Sequence, residues 1–296
     1  MTEQRTVSVL ICALNEEKNI GFLLEDLMKE QICEPFVLKN IYVVSDGSTD
    51  RTVTIVSEKQ AIDTRIIFVQ NEKRIGKIFS LEKMFKEIED DLLVLFDADV
   101  RLEEGVINRL LTPFVSSNPL LVGGNPKPAK QSGVLNFAEL ASLFSWYLVD
   151  AIKKKNPNGI YSAHGRVLVL RKALYKGLNI SETSTPGDDQ AMFIGAKGDF
   201  MFVRDAAVYY KLPSAAGDYL KQNRRFRLAK SIKHQSYTEA CEYFIIKNKF
   251  QVYFRQLLLH PLAALAWMTL YSYGWIQFQL MNKKSKYTWE EIKSSK

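Results

Sequence analysis

"DDLLVLFDADV", residues 90–100, decides how the rest of the chain is read. Five apolar residues, Leu92 to Phe96, suit the centre of a sheet, yet the run ends in Asp97-Ala98-Asp99. A buried strand gains nothing from two carboxylates at its tip. Held close, they repel and raise each other's pKa unless positive charge lies between them. Side chains alternate along a strand, so Asp97 and Asp99 are expected to point together into one crevice. Two oxygen donors of this kind suit a hard divalent cation, Mn²⁺ or Mg²⁺, which takes one or two carboxylates together with substrate phosphates. The competing reading is a strand end whose acidic residues cap the next helix or face water.

On either side, strand-like runs alternate with helical patterns through residue 123. "VSVLICA" (7–13) precedes a helix with Ile20, Leu23, Leu24, Leu27 and Met28 on one stripe, the spacing of an amphipathic helix. "IYVVS" (41–45) leads through Asp46-Gly47-Ser48-Thr49-Asp50 into a second helix, and "RIIFVQ" (65–70) into a third containing Leu81, Phe85 and Ile88. Val106, Leu110, Leu111 and Phe114 mark a fourth. Such alternation predicts an α/β domain with a mostly parallel sheet and helices on both faces. Ligands of these sheets bind beyond the carboxyl ends of the strands. Asn15-Glu16, Asp46 and Asp97/Asp99 all fall there, at the ends of three strands. Beyond residue 123, "PKPAKQSG" (126–133) reads as a loop, residues 134–152 as an apolar helix, "IYSAHGRVLVLRK" (160–172) as a hairpin or returning strand, and "TSTPGDDQ" (183–190) as a turn feeding a helix.

The chain has 296 residues, 47% hydrophobic and 25% charged, the composition of a globular protein. Cys12, Cys33 and Cys241 are odd in number, widely spaced and without a CxxC, and are expected to be buried free thiols in a reducing compartment. The amino terminus carries only a short apolar run between charges, a strand rather than a signal peptide. Net charge is +7, and "KQNRRFRLAKSIK" (221–233) is basic without one acidic residue. A stripe of this sort serves anionic lipid or a phosphorylated substrate; signatures of nucleic-acid binding are absent and no nucleic-acid partner is expected. From Leu257 to Leu280, 24 residues carry no formal charge. As one helix they span about 36 Å, enough for a hydrocarbon core of roughly 30 Å. Trp267, Tyr271, Tyr273 and Trp275 suit a membrane interface, and membrane attachment is expected; His260, Pro261 and the glutamine and serine side chains dilute the run, so a buried or interfacial helix is the alternative to a span. Pro261, near the start of the run, allows a bend.

"VLICALNEEKNI", "VVSDGSTDRT", "RIGKIFSLEKMF" and "LVLFDADV", followed by "GDDQ" and "QNRRF", resemble in order and spacing the family-2 inverting glycosyltransferases of the GT-A fold. The last two resemble the acidic pair and QxxRW-like motif of cellulose and hyaluronan synthases, and the N-terminal half is similar to dolichyl-phosphate mannose synthases. Phe226 stands where the synthases have Trp and Asp188 where they have Glu. The chain also has one apolar segment instead of a pore-forming set.

The resemblance implies a GT-A catalytic domain over 1–233, with a nucleotide-sugar half to about residue 125 and an acceptor half over 126–233, and apolar membrane-associated helices over 234–296. It implies a metal at Asp99 with Asp97 on its metal or ribose side, and Asp46 accepting from a base N–H with Ala13, Asn15 and Glu16 flanking that base. Asp46 also reads as a turn residue, and Asn15 as a cap of the first helix. Lys77 is expected to meet phosphate. Asp189 is the expected general base, and Asp188 the cap of its helix beside the acceptor. Gln222, Arg225 and Phe226 are expected by the acceptor and diphosphate. The implied activity is metal-dependent transfer, with Mn²⁺ or Mg²⁺, from a nucleotide sugar, a UDP-sugar foremost, to a lipid-linked or glycan acceptor in cell-surface glycan synthesis. The catalytic domain would then face the cytoplasm, where nucleotide sugars are made. A sugar nucleotidyltransferase would want a glycine-rich basic loop after the first strand, where this chain has the acidic "LNEEKN". A non-catalytic membrane-bound nucleotide-sugar-binding protein is the remaining alternative.

Overall fold

The computed structural model describes residues 4–130, 133–182, 187–231 and 250–280; for 182 and 225–231 it describes the backbone alone. Strand β1 (Arg5–Ala13) is buried along its centre on both faces and runs to α1 (Ile20–Lys29). The alternation continues through β2 (Phe36–Ser45), α2 (Thr52–Ile62), β3 (Ile66–Gln70), α3 (Lys77–Glu87) and β4 (Leu92–Asp97). A short β5 (Val100–Leu102) follows, and the fourth helix is broken into α4 (Val106–Leu111) and α5 (Pro113–Ser116). The break falls at Pro113, whose ring blocks the preceding turn. Next come β6 (Leu121–Pro128), α6 (Phe137–Lys155), β7 (Val167–Arg171), α7 (Lys172–Tyr175), α8 (Asp188–Gly195), β8 (Phe200–Tyr210) and α9 (Ala216–Ser231). Two further helices, α10 (250–259) and α11 (Pro261–Leu280), end the described chain.

All eight strands form one sheet in the order β3-β2-β1-β4-β7-β6-β8-β5. The first four are parallel, but β7 runs antiparallel to both β4 and β6, so the sheet is mixed where a mostly parallel one was expected. On one face Leu81, Met84 and Phe85 of α3 and Met192 of α8 pack on Leu10, Leu93, Leu95 and Leu168. The alternate residues Val9, Ile11 and Val94 are fully buried, so the other face is covered as well.

Strand β6 extends into the stretch expected to be a loop. A Cβ on Gly123 would lie 2.7 Å from the Ser162 carbonyl oxygen, and one on Gly124 2.8 Å from Val167 Cγ2. The glycines there admit close neighbours in the sheet and do not mark a turn. Cys12 is only partly buried, and desolvation pushes its thiol up to about 12; Cys33 is exposed, contrary to expectation, because it lies in the short loop between α1 and β2.

Among the described residues, those within Met1–Lys127, Ser162–Thr183 and Asp188–Tyr209 form one compact unit, and those within Pro128–Tyr161, Ser184–Gly187 and Tyr210–Lys296 form another. In the second of these units α6 and the C-terminal helices share a core. In that second unit α6 starts in a capping box, Asn136 accepting from the Glu139 backbone and Glu139 from Asn136. Phe144 and Leu148 of α6 pack against Val252, Ala263 and Ala264. Ala138 and Ala141 pack against Tyr219, Ala266 and Leu270.

The apolar stretch 257–280 is not one continuous helix. It breaks at His260, whose ring stacks on Tyr147 with centroids 3.7 Å apart, and Pro261 opens α11. No described helix is long and apolar enough to cross a membrane. One side of α11 is packed on protein, while Leu262, Leu265, Met268, Ile276 and Leu280 on the rest are exposed.

Candidate active site

Parallel pairing sets Cys12 beside Asp97 and Ala13 beside Ser45, so β1, β2 and β4 end level with one another. Asp46 and Asp97 are thereby presented at the same edge of the sheet, with Ala13 buried between their strands. Asp46 is itself buried. Its Oδ1 accepts from the Ile75 amide at 2.8 Å and Asn71 Nδ2 at 3.2 Å, and its Oδ2 from the Gly76 amide at 2.8 Å. Asn71 also donates to Ser80 Oγ at 2.9 Å. The carboxylate thus folds the β3–α3 loop over the end of β2 and delivers Lys77 as the first residue of α3. Gly47 is needed beneath that loop: its φ is +75°, and a Cβ there would lie 2.8 Å from the Arg74 amide nitrogen.

The first loop is tied to the second. Asn15, at φ +54°, donates its amide to Ser48 Oγ and accepts at Oδ1 from the Thr49 amide at 2.8 Å. It does not cap α1. The Glu16 amide donates to Thr52 Oγ1 at 2.7 Å, and its carboxylate accepts from Asn19. Asp50 accepts from the Thr52 amide at the start of α2, so the turn chemistry of "SDGSTD" falls on Asp50 and not on Asp46.

At the centre Lys77 Nζ lies 2.7 Å from Asp97 Oδ1 and 2.8 Å from Asp188 Oδ2. Burial opposes its charge, but Asp188 and Asp97 outweigh that cost and hold its pKa well above the ordinary lysine value. Strand β4 ends at Asp97, so Asp99 stands in the following turn and not two residues along a strand. It nevertheless joins the same cleft: its Oδ2 lies 3.6 Å from Arg166 Nη2, and both Arg166 and Lys77 act on its charge. Burial raises the Asp99 pKa, with Arg166 opposing and Asp97 adding to the rise. Asp189, second residue of α8, accepts from the Gly165 amide at 3.3 Å and the Gln190 amide at 2.9 Å. Burial first, then the neighbouring Asp188, push its pKa up to about 6. Gly165 lies close under both acids: a Cβ there would be 3.6 Å from Asp189 Cβ and 3.8 Å from Asp188 Oδ2.

The sequence did not single out Gly165 or Arg166. Their only signal is an arginine after a glycine at the mouth of a strand whose next four residues are all buried. His164 is a structural neighbour, its Nδ1 accepting from the Arg166 amide at 3.3 Å. Gln222 lies on α9 in the other unit; the side chains of Arg225 and Phe226 fall outside the described residues.

Four carboxylates, Asp97, Asp99, Asp188 and Asp189, thus share a cleft with two cations, Lys77 and Arg166. The formal deficit of two positive charges is what a divalent ion makes good. Asp99 Oδ1 is buried without any hydrogen-bond partner, and a cation or donor supplied from outside would relieve the cost of that state. The residues fit a hard divalent ion held by Asp99 and Asp97. No group of three or more His, Cys, Asp or Glu among the described residues forms a complete cage, so the remaining ligands would come from phosphate and water.

The model of the family described as Glycosyl transferase family 2 matches residues 8–178, more than half of the chain. A poly-beta-1,6-N-acetyl-D-glucosamine synthase from Staphylococcus epidermidis is 25% identical over 191 residues, covering 63% of this chain and 44% of the synthase. The chain thus spans less than half the length of that relative. Among solved structures, a mannosyltransferase from Pyrobaculum calidifontis in complex with GDP-Man and Mn²⁺ superposes with a TM-score of 0.59 at 16% identity, covering 92% of this chain and 76% of that one. Staphylococcus aureus TarS 1–349 in complex with UDP-GlcNAc gives 0.52 at 20% identity, covering 74% and 64%. Glucosyl-3-phosphoglycerate synthase from Mycobacterium tuberculosis, with Mn²⁺, UDP and phosphoglyceric acid, gives 0.53 at 16% identity, covering 77% of each. These likenesses establish a GT-A-like α/β fold.

Proposed function

The chain belongs to glycosyl transferase family 2, and we propose that it transfers a sugar from a UDP-sugar, with inversion, to a hydroxyl of a lipid-linked or glycan acceptor. The observation that carries the metal and donor part is the partnerless, buried Asp99 Oδ1 in a cleft with surplus negative charge. A divalent ion, Mn²⁺ or Mg²⁺, would be held there by Asp99 and Asp97 and would supply charge neutralisation at the departing diphosphate. Lys77, first residue of α3, contributes an ammonium and a helix start to the same phosphates. Asp46 positions that lysine by folding the 71–76 loop, and Ala13, Asn15 and Glu16 line the base side.

Asp189 takes the proton from the acceptor hydroxyl as its oxygen attacks C1. The C1–O bond to the diphosphate breaks in the same displacement, and the electron pair leaves with the diphosphate. A carboxyl shifted to about 6 is ionised at neutral pH yet more basic than an ordinary aspartate. Roles for Asp188, Gln222, Arg225 and Phe226 toward the acceptor rest on the sequence resemblance.

The proposal extends to the membrane. A helix apolar on all sides, with one side packed on protein and the rest exposed, calls for an apolar environment. Leu258, Leu262, Leu265, Met268, Ile276 and Leu280 recur at helical spacing and are all exposed; Arg255 is exposed just before them. We read α10 and α11 as lying in the interface of an anionic leaflet, on the cytoplasmic side, and not as a span. The test of the activity is a panel of nucleotide sugars incubated with the protein, Mn²⁺ or Mg²⁺, and membrane lipid extract. Nucleotide release with a uridine sugar is expected; no release with any donor would refute the proposal.

A further inference from the structure

Lys77 sits where a second cation is wanted. Its ammonium bridges Asp97 at the end of β4 and Asp188 at the start of α8, at 2.7 and 2.8 Å, and is largely withdrawn from solvent. The same Asp97 is one of the two carboxylates that fit a divalent ion, and Asp99, the other, feels the Lys77 charge. An ammonium and a divalent ion cannot both hold Asp97 closely without strong mutual repulsion. The loop leading to Lys77 is meanwhile fixed from behind, through Asp46 and the Ile75 and Gly76 amides. The start of α3 is therefore anchored, and relocation of charge falls to the lysine side chain.

We propose that Lys77 is a resident counter-ion of the acidic cleft, which a divalent ion displaces from Asp97 and which then passes to the diphosphate of the arriving nucleotide. The inference rests on the metal reading given above. It makes metal and nucleotide binding cooperative: the ion alone must evict Lys77, whereas ion and nucleotide together give the ammonium a new partner. It also makes Lys77 a positioning residue for α8, since its bridge to Asp188 holds the helix that carries Asp189.

The test compares wild type with Lys77→Met, which keeps the length of the side chain and removes its charge. Free Mn²⁺ is followed by electron paramagnetic resonance, with and without UDP, and Tm is measured in EDTA and in millimolar Mn²⁺. In the variant, affinity for Mn²⁺ alone should rise about tenfold or more, from removal of a unit positive charge a few ångströms away, while the gain from adding UDP shrinks. Tm in EDTA should fall below wild type, and Mn²⁺ should raise it by more than it raises wild type. A variant that is unfolded in EDTA should regain its transition in Mn²⁺; one that stays unfolded there overturns the proposal. Wild type that binds no Mn²⁺ even with UDP would sink the metal reading itself. Wild type that binds Mn²⁺ with UDP, beside a variant with no tighter hold on Mn²⁺ alone, would overturn the counter-ion role and leave the metal reading standing.

Discussion

Asp189 combines burial with a negative neighbour, and the sign of its effect separates chemistry from structure. Its folded-state pKa of about 6 lies above the ordinary 3.8. Between those values the folded chain holds a proton that the unfolded chain has lost. The associated stability is present at low pH and disappears as pH rises through about 6. Asp189→Asn is therefore expected to stabilise the protein at pH 7.5 by about 1–3 kcal/mol, and to give no such gain near pH 4, read from urea melts. Transfer should fall by about 10²–10⁴-fold with donor affinity kept. Wild-type turnover should show an acid limb near pH 6, as protonation removes the base. A variant that melts earlier at pH 7.5 would assign the carboxylate to holding the start of α8. Asp46 makes the opposite case: Asp46→Ala strips the acceptor from two loop amides and should cost about 2–4 kcal/mol, with donor binding lost in parallel.

The strand–helix alternation to residue 111 was legible because each element carries its own periodicity. Strands buried on both faces read as apolar runs, and helices as amphipathic stripes. The acidic strand end was legible for the same reason, as a local break in such a run. What the sequence hid is long-range. The partners of Asp46 lie 25 to 30 residues away in a loop without apolar pattern, and Arg166 reaches Asp99 through an antiparallel strand that no crossover announces. Strand β8, "FMFVRDAAVYY", breaks its apolar pattern with Arg204-Asp205 and was missed. The C-terminal helices were legible as apolar but not as half-packed, since α11 reads the same on every side. Truncation there would uncover Phe144 and Leu148 of α6, so substitution on the exposed side is the cleaner test. Replacing Leu258, Leu262 and Leu265 together by Ser should leave Tm nearly unchanged, because all three are exposed. It should weaken sedimentation with phosphatidylglycerol-containing vesicles by about tenfold or more. Equal binding by both proteins would remove these helices from the membrane.

Across the molecule, the first unit contains every described group of the acidic cleft, and its fold and family are those of glycosyl transferase family 2. On the proposed function, β4 ends at Asp97 with Asp99 in the turn after it because a divalent ion and a diphosphate complete the charge there. Asp99 holds the most telling atom, since its Oδ1 is buried and partnerless. The direct measurement is UDP binding by calorimetry, in Mn²⁺ and in EDTA, for wild type and Asp99→Asn. Wild type should bind UDP at least about tenfold more tightly with Mn²⁺ than without, and the variant should lose that difference. Equal affinity of wild type for UDP in Mn²⁺ and in EDTA would contradict the claim and return Asp97 and Asp99 to the role of a structural strand end.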